Sequence, residues 1–275
     1  MIIKGVDIAN RILEDCRQKL QSIKGERRPH LAVILVGHNK ASRNFVQKKE
    51  EQAQKLGLDF SLFDFPENIT QEELVRNLEE IQGKDEITCV ILQLPLPQQI
   101  NTPEIIERID PRKDVDCLTS TNLCKSQNGQ IDIHPPTPAA ILEIIKEYQI
   151  LLDGKHVVVI GKGRLVGKPL VTELMKTKAT LSVCDKSTPD LENFTKSADI
   201  IISGAGAPHL LTQDMVKEGV VIIDAGTSYK KGVLCGDTDC HEIQNKASLV
   251  TPVPGGVGPV TVAKLFENCL KLSCG

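Results

Sequence analysis

The apolar run Val157-Val158-Val159-Ile160 passes directly into Gly161-Lys162-Gly163-Arg164-Leu165-Val166-Gly167, and a helical pattern over 166–177 follows at once. A strand that ends in a glycine turn and opens a helix is the entry unit of a doubly wound nucleotide fold. The rest of this half continues the alternation, with strand 155–160, helix 166–177, strand 180–184, helix 191–197, strand 199–203, helix 212–218 and strand 220–224. Such an order specifies a parallel sheet with helices on both faces. The G-x-G-x-x-x-G spacing is one residue longer than the usual fingerprint, so the strand–turn–helix context carries the assignment. Glycines let the main chain approach a pyrophosphate, and the helix N-terminus adds donors and positive potential. Asp185 closes the next strand, 24 residues after Gly161. An acid there accepts from ribose hydroxyls and favours NAD, whereas Lys162, Lys186 and Ser187 are close enough in sequence to hold a 2′-phosphate. The residues leave NAD against NADP open.

The first half alternates as well. Residues 6–23 place Ile8, Ile12, Leu13, Cys16, Leu20 and Ile23 at helical spacing. His30–Val36 is a buried strand ended by Gly37, and Ala41–Leu56 is a helix whose early turns carry Ser42, Phe45 and Lys49. Leu58–Phe65 alternates as a strand, Thr70 is the expected N-cap of the next helix with Glu73 three residues on, and Cys89–Leu92 is again buried strand. Gln93-Leu94-Pro95-Leu96-Pro97 cannot continue within a central sheet. Pro135-Pro136-Thr137-Pro138 marks a boundary, with Thr137 as N-cap, Pro138 first in the helix, and helix 139–149 as a stiff connector. At 275 residues the chain exceeds the usual single core. It therefore reads as two α/β domains, 1–136 and 137–261, the second a Rossmann-type parallel sheet. After them, Thr251–Thr261 packs three glycines and three prolines into a stiff, side-chain-poor segment that suits a main-chain wall against a ligand.

Charge and composition exclude several classes of partner. A net charge of -3 and only 3% aromatic residues make no case for nucleic acid or an anionic membrane. The longest apolar runs are too short to span a bilayer, and Met1-Ile2-Ile3-Lys4-Gly5 lacks the form of a signal peptide. A cytoplasmic protein is expected. The nine cysteines are scattered, with no Cys-x-x-Cys, and read as reduced structural thiols. No metal site is expected.

Phe45 and Lys49 lie four apart on one helical face, and Lys113-Asp114-Val115-Asp116 forms an acidic turn. By themselves these are ordinary surface features. Together with residues 36–57, 93–97, 135–138, 161–169 and 251–261, in that order along the chain, they resemble the bifunctional methylenetetrahydrofolate dehydrogenase/cyclohydrolase family. The resemblance implies two domains around a cleft, with folate against the first domain and the nicotinamide cofactor on the second. It also implies a final helix, 262–275, that returns to the first domain, and a homodimer. The implied chemistry is oxidation of 5,10-methylenetetrahydrofolate to the methenyl cation by NAD(P)+, then hydrolysis to 10-formyltetrahydrofolate.

Position by position, the resemblance makes Lys49 the catalytic lysine, Gln93 the group that orients it, and Asp116 the carboxylate that binds the pterin. Phe45, Pro254, Gly255 and Gly256 complete the expected folate contacts. Gly161, Lys162, Gly163, Val166, Gly167, Asp185, Lys186, Ser187 and Thr227 form the expected cofactor set. The family leans toward NADP. Departures from its pattern are Phe45 for tyrosine, Gly161-Lys162-Gly163 for Gly-Arg-Ser, Asp185 for His or Asn, Cys117 and Ala139 for glycines, and Pro136 for cysteine. Loss of the hydroxyl at Phe45 bears on hydrolysis more than on oxidation. The alternatives are a dehydrogenase with weak or no cyclohydrolase activity, a shikimate-reducing type of enzyme, or a catalytically lapsed folate- or nucleotide-binding protein.

Overall fold

The computed structural model describes residues 1–22, 28–230 and 232–274; Ile23 and Gly275, which the sequence reading included in the first and last helices, lie outside the described residues. In chain order the first elements are α1 (Gly5–Ser22), β1 (His30–Val36), α2 (Lys40–Leu56), β2 (Asp59–Phe65), α3 (Gln71–Gly83), β3 (Cys89–Leu92), α4 (Thr102–Ile106), α5 (Ser120–Gln127) and α6 (Pro136–Glu147). They continue with β4 (His156–Ile160), α7 (Gly167–Leu174), β5 (Thr180–Cys184), α8 (Leu191–Ser197), β6 (Ile200–Ser203) and β7 (Val221–Asp224). A β8–β9 hairpin (Ser228–Lys230, Val233–Cys235), α9 (Cys240–Ile243), β10 (Leu249–Val250) and α10 (Val257–Cys274) complete the chain. The chain divides into two compact units, one of residues 11–134 with 265–275, the other of residues 1–10 with 135–264.

In the first unit β1 lies between β2 and β3, all parallel. Every residue from Leu31 to Val36 is buried, as a central strand covered on both faces requires. Ala32, Ile34 and Val36 on one face meet Leu74, Leu78 and Ile81 of α3, with Ile105 and Ile106 of α4. Each fully buried Leu or Ile contributes about 2 kcal/mol of transfer free energy. Thr70 and Glu73 form a complete capping box: the Thr70 hydroxyl accepts from the Glu73 N–H (3.2 Å), and the Glu73 carboxylate accepts from the Thr70 N–H (2.9 Å).

The second unit holds a five-stranded parallel sheet in the order β10-β7-β6-β4-β5. Its core joins Val158, Ile160, Ile201, Ile222 and Val250 to Leu211, Val216 and Ile243 beyond the strands. Between β4 and β6 the winding reverses, which creates a crevice at the carboxyl ends of those strands.

Three expectations need correction. The first ten residues, assigned to the first domain, belong with the second sheet. The cause is long-range pairing: Ile3 N–H donates to Val250 O (2.8 Å), Val250 N–H to Met1 O (3.0 Å), and Ile3 is fully buried. Helix α6 begins at Pro136 with Pro135 at the cap position, so Thr137 is not the N-cap. Prolines in a first turn have no N–H to satisfy, and no side-chain cap bond is made there. Over 212–218 only Gln213–Met215 is helical, as one 3₁₀ turn, because Val216 is extended.

Candidate functional site

Helix α2 starts from Asn39, whose side chain accepts from Ser42 N–H at 3.0 Å, and it presents Lys49 in its third turn. Lys49 Nζ donates to Gln93 Oε1 at 2.7 Å. Gln93 directly follows β3; its backbone N–H extends the ladder to Ile34 O (2.9 Å), and its side-chain Nε2 donates to Leu94 O (2.9 Å). With Nε2 committed to that carbonyl, only the amide oxygen is left for a lysine, which has donors and no acceptor. Gln93 thus fixes the direction in which Lys49 points. The adjoining Leu94–Pro95 peptide is cis.

Asp116 belongs to a segment stitched to β3 by Val90 N–H donating to Lys113 O at 2.7 Å. Its neighbour Asp114 has a different task. Fully buried, it accepts from Leu118 N–H (3.0 Å), from Thr119 N–H (2.9 Å) and hydroxyl (2.8 Å), and from Asn122 Nδ2 (3.2 Å). Asp114 therefore builds the turn that presents Asp116. From α10, Asn268 Nδ2 donates to Val115 O (3.0 Å) and His134 O (2.8 Å), clamping the same segment. Among the sequence motifs Asp114 enters only as part of the acidic turn, with no role of its own, and Asn268 does not enter at all. For Asn268, a polar residue among the buried apolar positions of a helix was the available signal.

Burial pulls the Lys49 ammonium below the usual 10.5, against the opposing attraction of Asp116. Burial also pushes the Asp116 carboxyl up to about 6; Lys49 draws it down, and Asp114 adds to the rise. Burial thus makes Lys49 give up its proton more readily than a free lysine, while a carboxyl at about 6 is largely ionised at pH 7 and able to accept hydrogen bonds. Phe45 is half-buried one turn before Lys49 and carries no hydroxyl.

Of the departures from the family pattern, Cys117 keeps a backbone suited to glycine and Ala139 does not need one. Cys117 sits at φ 53°, in the left-handed region where a glycine is easiest, and its Sγ donates to Ile133 O at 3.7 Å. Burial pushes that thiol up to about 12. Ala139 lies in the regular first turn of α6, its N–H bonded to Pro135 O (3.0 Å), so glycine's freedom is not needed.

In the other unit Gly161 leaves β4 at φ 106°, and its N–H donates to Cys184 O at 2.8 Å. A Cβ there would lie 2.6 Å from Gly204 O; one on Gly167 would lie 1.8 Å from Gly161 O. Gly163, by contrast, has nothing within 4 Å of where its Cβ would stand. Two glycines thus close the turn tightly and the third leaves its outer side open. Val166 at the N-cap of α7 makes no side-chain cap bond. A pyrophosphate fits such an open cradle at an uncapped helix end. Beside it, Lys162 Nζ lies 3.3 Å from Asp185 Oδ2, and Ser187 donates to Asp185 Oδ1 from its N–H (3.0 Å) and hydroxyl (2.6 Å). These bonds, Ser187's first, hold the Asp185 carboxyl down at about 2. Lys186 is exposed on the same loop, and Thr227 is exposed beyond the end of β7.

At the carboxyl ends of β6 and β7 lie two acids that no sequence motif singles out. Asp237 is fully buried and accepts from the Ser203 hydroxyl (2.6 Å), Ala205 N–H (2.8 Å) and Ala207 N–H (2.7 Å). Asp224 accepts from Gly226 N–H (2.8 Å) and Thr238 N–H (2.8 Å). Burial, then the Asp237 charge, push Asp224 up to about 7. The Thr251 hydroxyl accepts from Asp224 N–H (2.6 Å), which ties the Pro-Gly segment to the same group. Pro254 follows a cis peptide bond, Gly255 has φ 106°, and Gly5 N–H donates to Gly255 O (3.0 Å). A Cβ on Gly5 would stand 1.8 Å from Gly256 O, so the amino-terminal segment is pressed directly against this loop.

Among the described residues no cluster of His, Cys, Asp and Glu could hold a metal ion, and no helix is long and apolar enough to cross a membrane. Residues 3–116 match the tetrahydrofolate dehydrogenase/cyclohydrolase catalytic-domain family, and residues 135–274 match the NAD(P)-binding domain of the same family. The chain is 43% identical over 276 aligned positions to the bifunctional protein FolD of Sulfurihydrogenibium sp. (strain YO3AOP1), covering 99% of this chain and 97% of that one. The bifunctional FolD methylenetetrahydrofolate dehydrogenase/cyclohydrolase of Campylobacter jejuni superposes with a TM-score of 0.93 at 39% identity, covering 100% and 98% of the two chains. The Trypanosoma brucei dehydrogenase-cyclohydrolase, solved with NADP and an inhibitor, gives 0.94 at 32% identity, covering 100% and 97%.

Proposed function

Since the chain belongs to the tetrahydrofolate dehydrogenase/cyclohydrolase family, we propose that Lys49, Gln93 and Asp116 form its catalytic and folate-binding group. The enzyme oxidises 5,10-methylenetetrahydrofolate to 5,10-methenyltetrahydrofolate with NAD(P)+ and hydrolyses that product to 10-formyltetrahydrofolate. The single observation that carries the assignment of roles is the 2.7 Å bond from Lys49 to Gln93. We assign the folate chemistry to the 11–134 unit and nucleotide binding to the 135–264 unit.

The Gly161–Gly167 turn would hold a nicotinamide dinucleotide, which would supply the acceptor for the hydride of the folate one-carbon unit. That step asks the protein for placement rather than for an acid or base. The Gly161–Gly167 turn, with Asp185, Lys186, Ser187 and Thr227, holds the nucleotide in this proposal. Hydrolysis does need proton transfer. Water adding to the methenyl carbon releases a proton, which neutral Lys49 accepts. The ammonium so formed returns a proton to N5 as the carbon–N5 bond opens, and the hydroxyl proton of the adduct leaves to solvent. Gln93 keeps Lys49 aimed, and a cationic substrate beside it lowers its proton affinity further. Asp116, with two acceptor oxygens, binds the N–H edge of the pterin. The Phe45 ring provides a stacking face, and Pro254, Gly255 and Gly256 offer main chain to the substrate. A homodimer completes the proposal, to be checked by sedimentation.

The test is the methenyl absorbance formed from 5,10-methylenetetrahydrofolate with NAD+ and with NADP+; no product with either sinks the proposal. The missing hydroxyl at Phe45 favours a second reading in which hydrolysis is slow relative to oxidation. Phe45→Tyr then raises the hydrolysis rate and leaves oxidation unaltered, and an unchanged hydrolysis rate removes this reading.

A further inference from the structure

The register of β4 against β5 pairs Ile160 with Cys184, so the glycine turn and Asp185 leave the sheet side by side. In a doubly wound nucleotide fold, an acid at the end of the second strand stands where the adenosine ribose lies. Asp185 occupies that place, and its bonds decide what it can still do. A carboxylate has about four acceptor positions. Ser187 fills two on Oδ1, through its N–H and its hydroxyl, and Lys162 fills one on Oδ2. One position on Oδ2 remains for a ribose hydroxyl.

The same bonds remove the groups a phosphate would need. Ser187 turns its hydroxyl and its N–H toward Asp185, and Lys162 spends its charge on the same carboxylate. A 2′-phosphate carries about two negative charges. It would meet an ionised carboxylate there, and the other cation on that loop, Lys186, is exposed to solvent. A 2′-hydroxyl needs only an acceptor, and Asp185 has one to give.

We propose that Asp185 makes this enzyme select NAD+ over NADP+, by accepting from the ribose hydroxyl and by keeping Lys162 and Ser187 away from a 2′-phosphate. The inference rests on the nucleotide-binding reading of the Gly161–Gly167 turn, and it runs against the family's lean toward NADP.

Isothermal titration of the full chain with each dinucleotide, in the absence of folate, tests it without recourse to turnover. The wild type binds NAD+ about ten-fold tighter than NADP+ or better, the scale of one unfavourable charge contact near a protein surface. Asp185→Asn keeps an acceptor for Ser187 but loses the charge, so the ratio narrows or reverses. Adding Lys162→Gln to Asp185→Asn takes back the gain for NADP+, because the released lysine is what holds the phosphate. Far-UV circular dichroism checks that each variant is folded. Equal or tighter binding of NADP+ by the wild type overturns the proposal, as does an unaltered ratio in Asp185→Asn. A folded wild type that binds neither dinucleotide overturns the nucleotide reading itself, and this inference with it.

Discussion

At the residue scale the site is a set of groups held away from their ordinary protonation behaviour by burial. Lys49 is pulled down and Asp116 is pushed up to about 6, and each partly restrains the other. The residues that support Lys49 and Asp116 are as consequential as these two. Asp114 and Asn268 hold the segment that carries Asp116, and Cys117 turns it in a left-handed conformation at φ 53°. A non-glycine residue there is strained by roughly 1 kcal/mol. Comparing Cys117→Ala with Cys117→Gly isolates that strain, since both remove the thiol and only glycine relaxes the backbone. The glycine variant is the more stable of the two by about 1 kcal/mol in urea unfolding. Equal stabilities would show that the position carries no strain.

At the element scale, what the sequence made legible follows a simple division. Buried apolar runs closed by a turn residue were readable to the residue, as in His30–Val36 with Gly37 behind it and Cys89–Leu92. The strand–helix alternation of the second half gave Thr180–Cys184 and the helix Leu191–Ser197, although both are largely unburied. The β8–β9 hairpin, α4 and α9 are too short to show a period, β10 has only two residues, and α5 offers only Leu123 and Cys124 as apolar positions. Lys49 lies in α2, Gln93 just past β3 and Asp116 in the turn before α5, so no local pattern joins them; only the family resemblance does. Capping illustrates the same limit. Thr70 and Thr137 look alike in sequence, but Thr70 bonds Glu73 N–H whereas α6 starts on two prolines and uses no side-chain cap. Accordingly Thr70→Ala destabilises the protein by about 1 kcal/mol, and Thr137→Ala by a few tenths at most. Equal losses in chemical denaturation would mean the two helices start in the same way.

At the scale of the whole molecule, two parallel sheets each have their own core, and the chain passes from one unit to the other near residue 10, again near 134 and again near 264. The order of domains along the sequence hides this, because the pairing of Ile3 with Val250 spans nearly the full chain. Buried acids make the stability of the nucleotide-binding unit depend on pH. Asp224, raised to about 7 by burial and by Asp237, binds its proton more tightly folded than unfolded, where the value is 3.8. Its contribution is fully present below about pH 4 and is lost as the pH rises through about 7. In Asp224→Asn the fall in Tm between pH 5 and pH 8 is therefore smaller than in the wild type. Parallel falls would contradict the buried, protonated acid.

All three scales meet in Lys49, presented by α2, aimed by Gln93 and desolvated in the first unit. The most direct measurement is the decay of methenyltetrahydrofolate absorbance with wild type and Lys49→Met, compared with folate binding by titration. The variant loses hydrolysis by about 10²–10⁴-fold while folate still binds, and the wild-type rate rises with pH through the lowered lysine pKa. Hydrolysis at the wild-type rate in Lys49→Met, or loss of folate binding together with hydrolysis, would contradict Lys49 as the proton-transfer group.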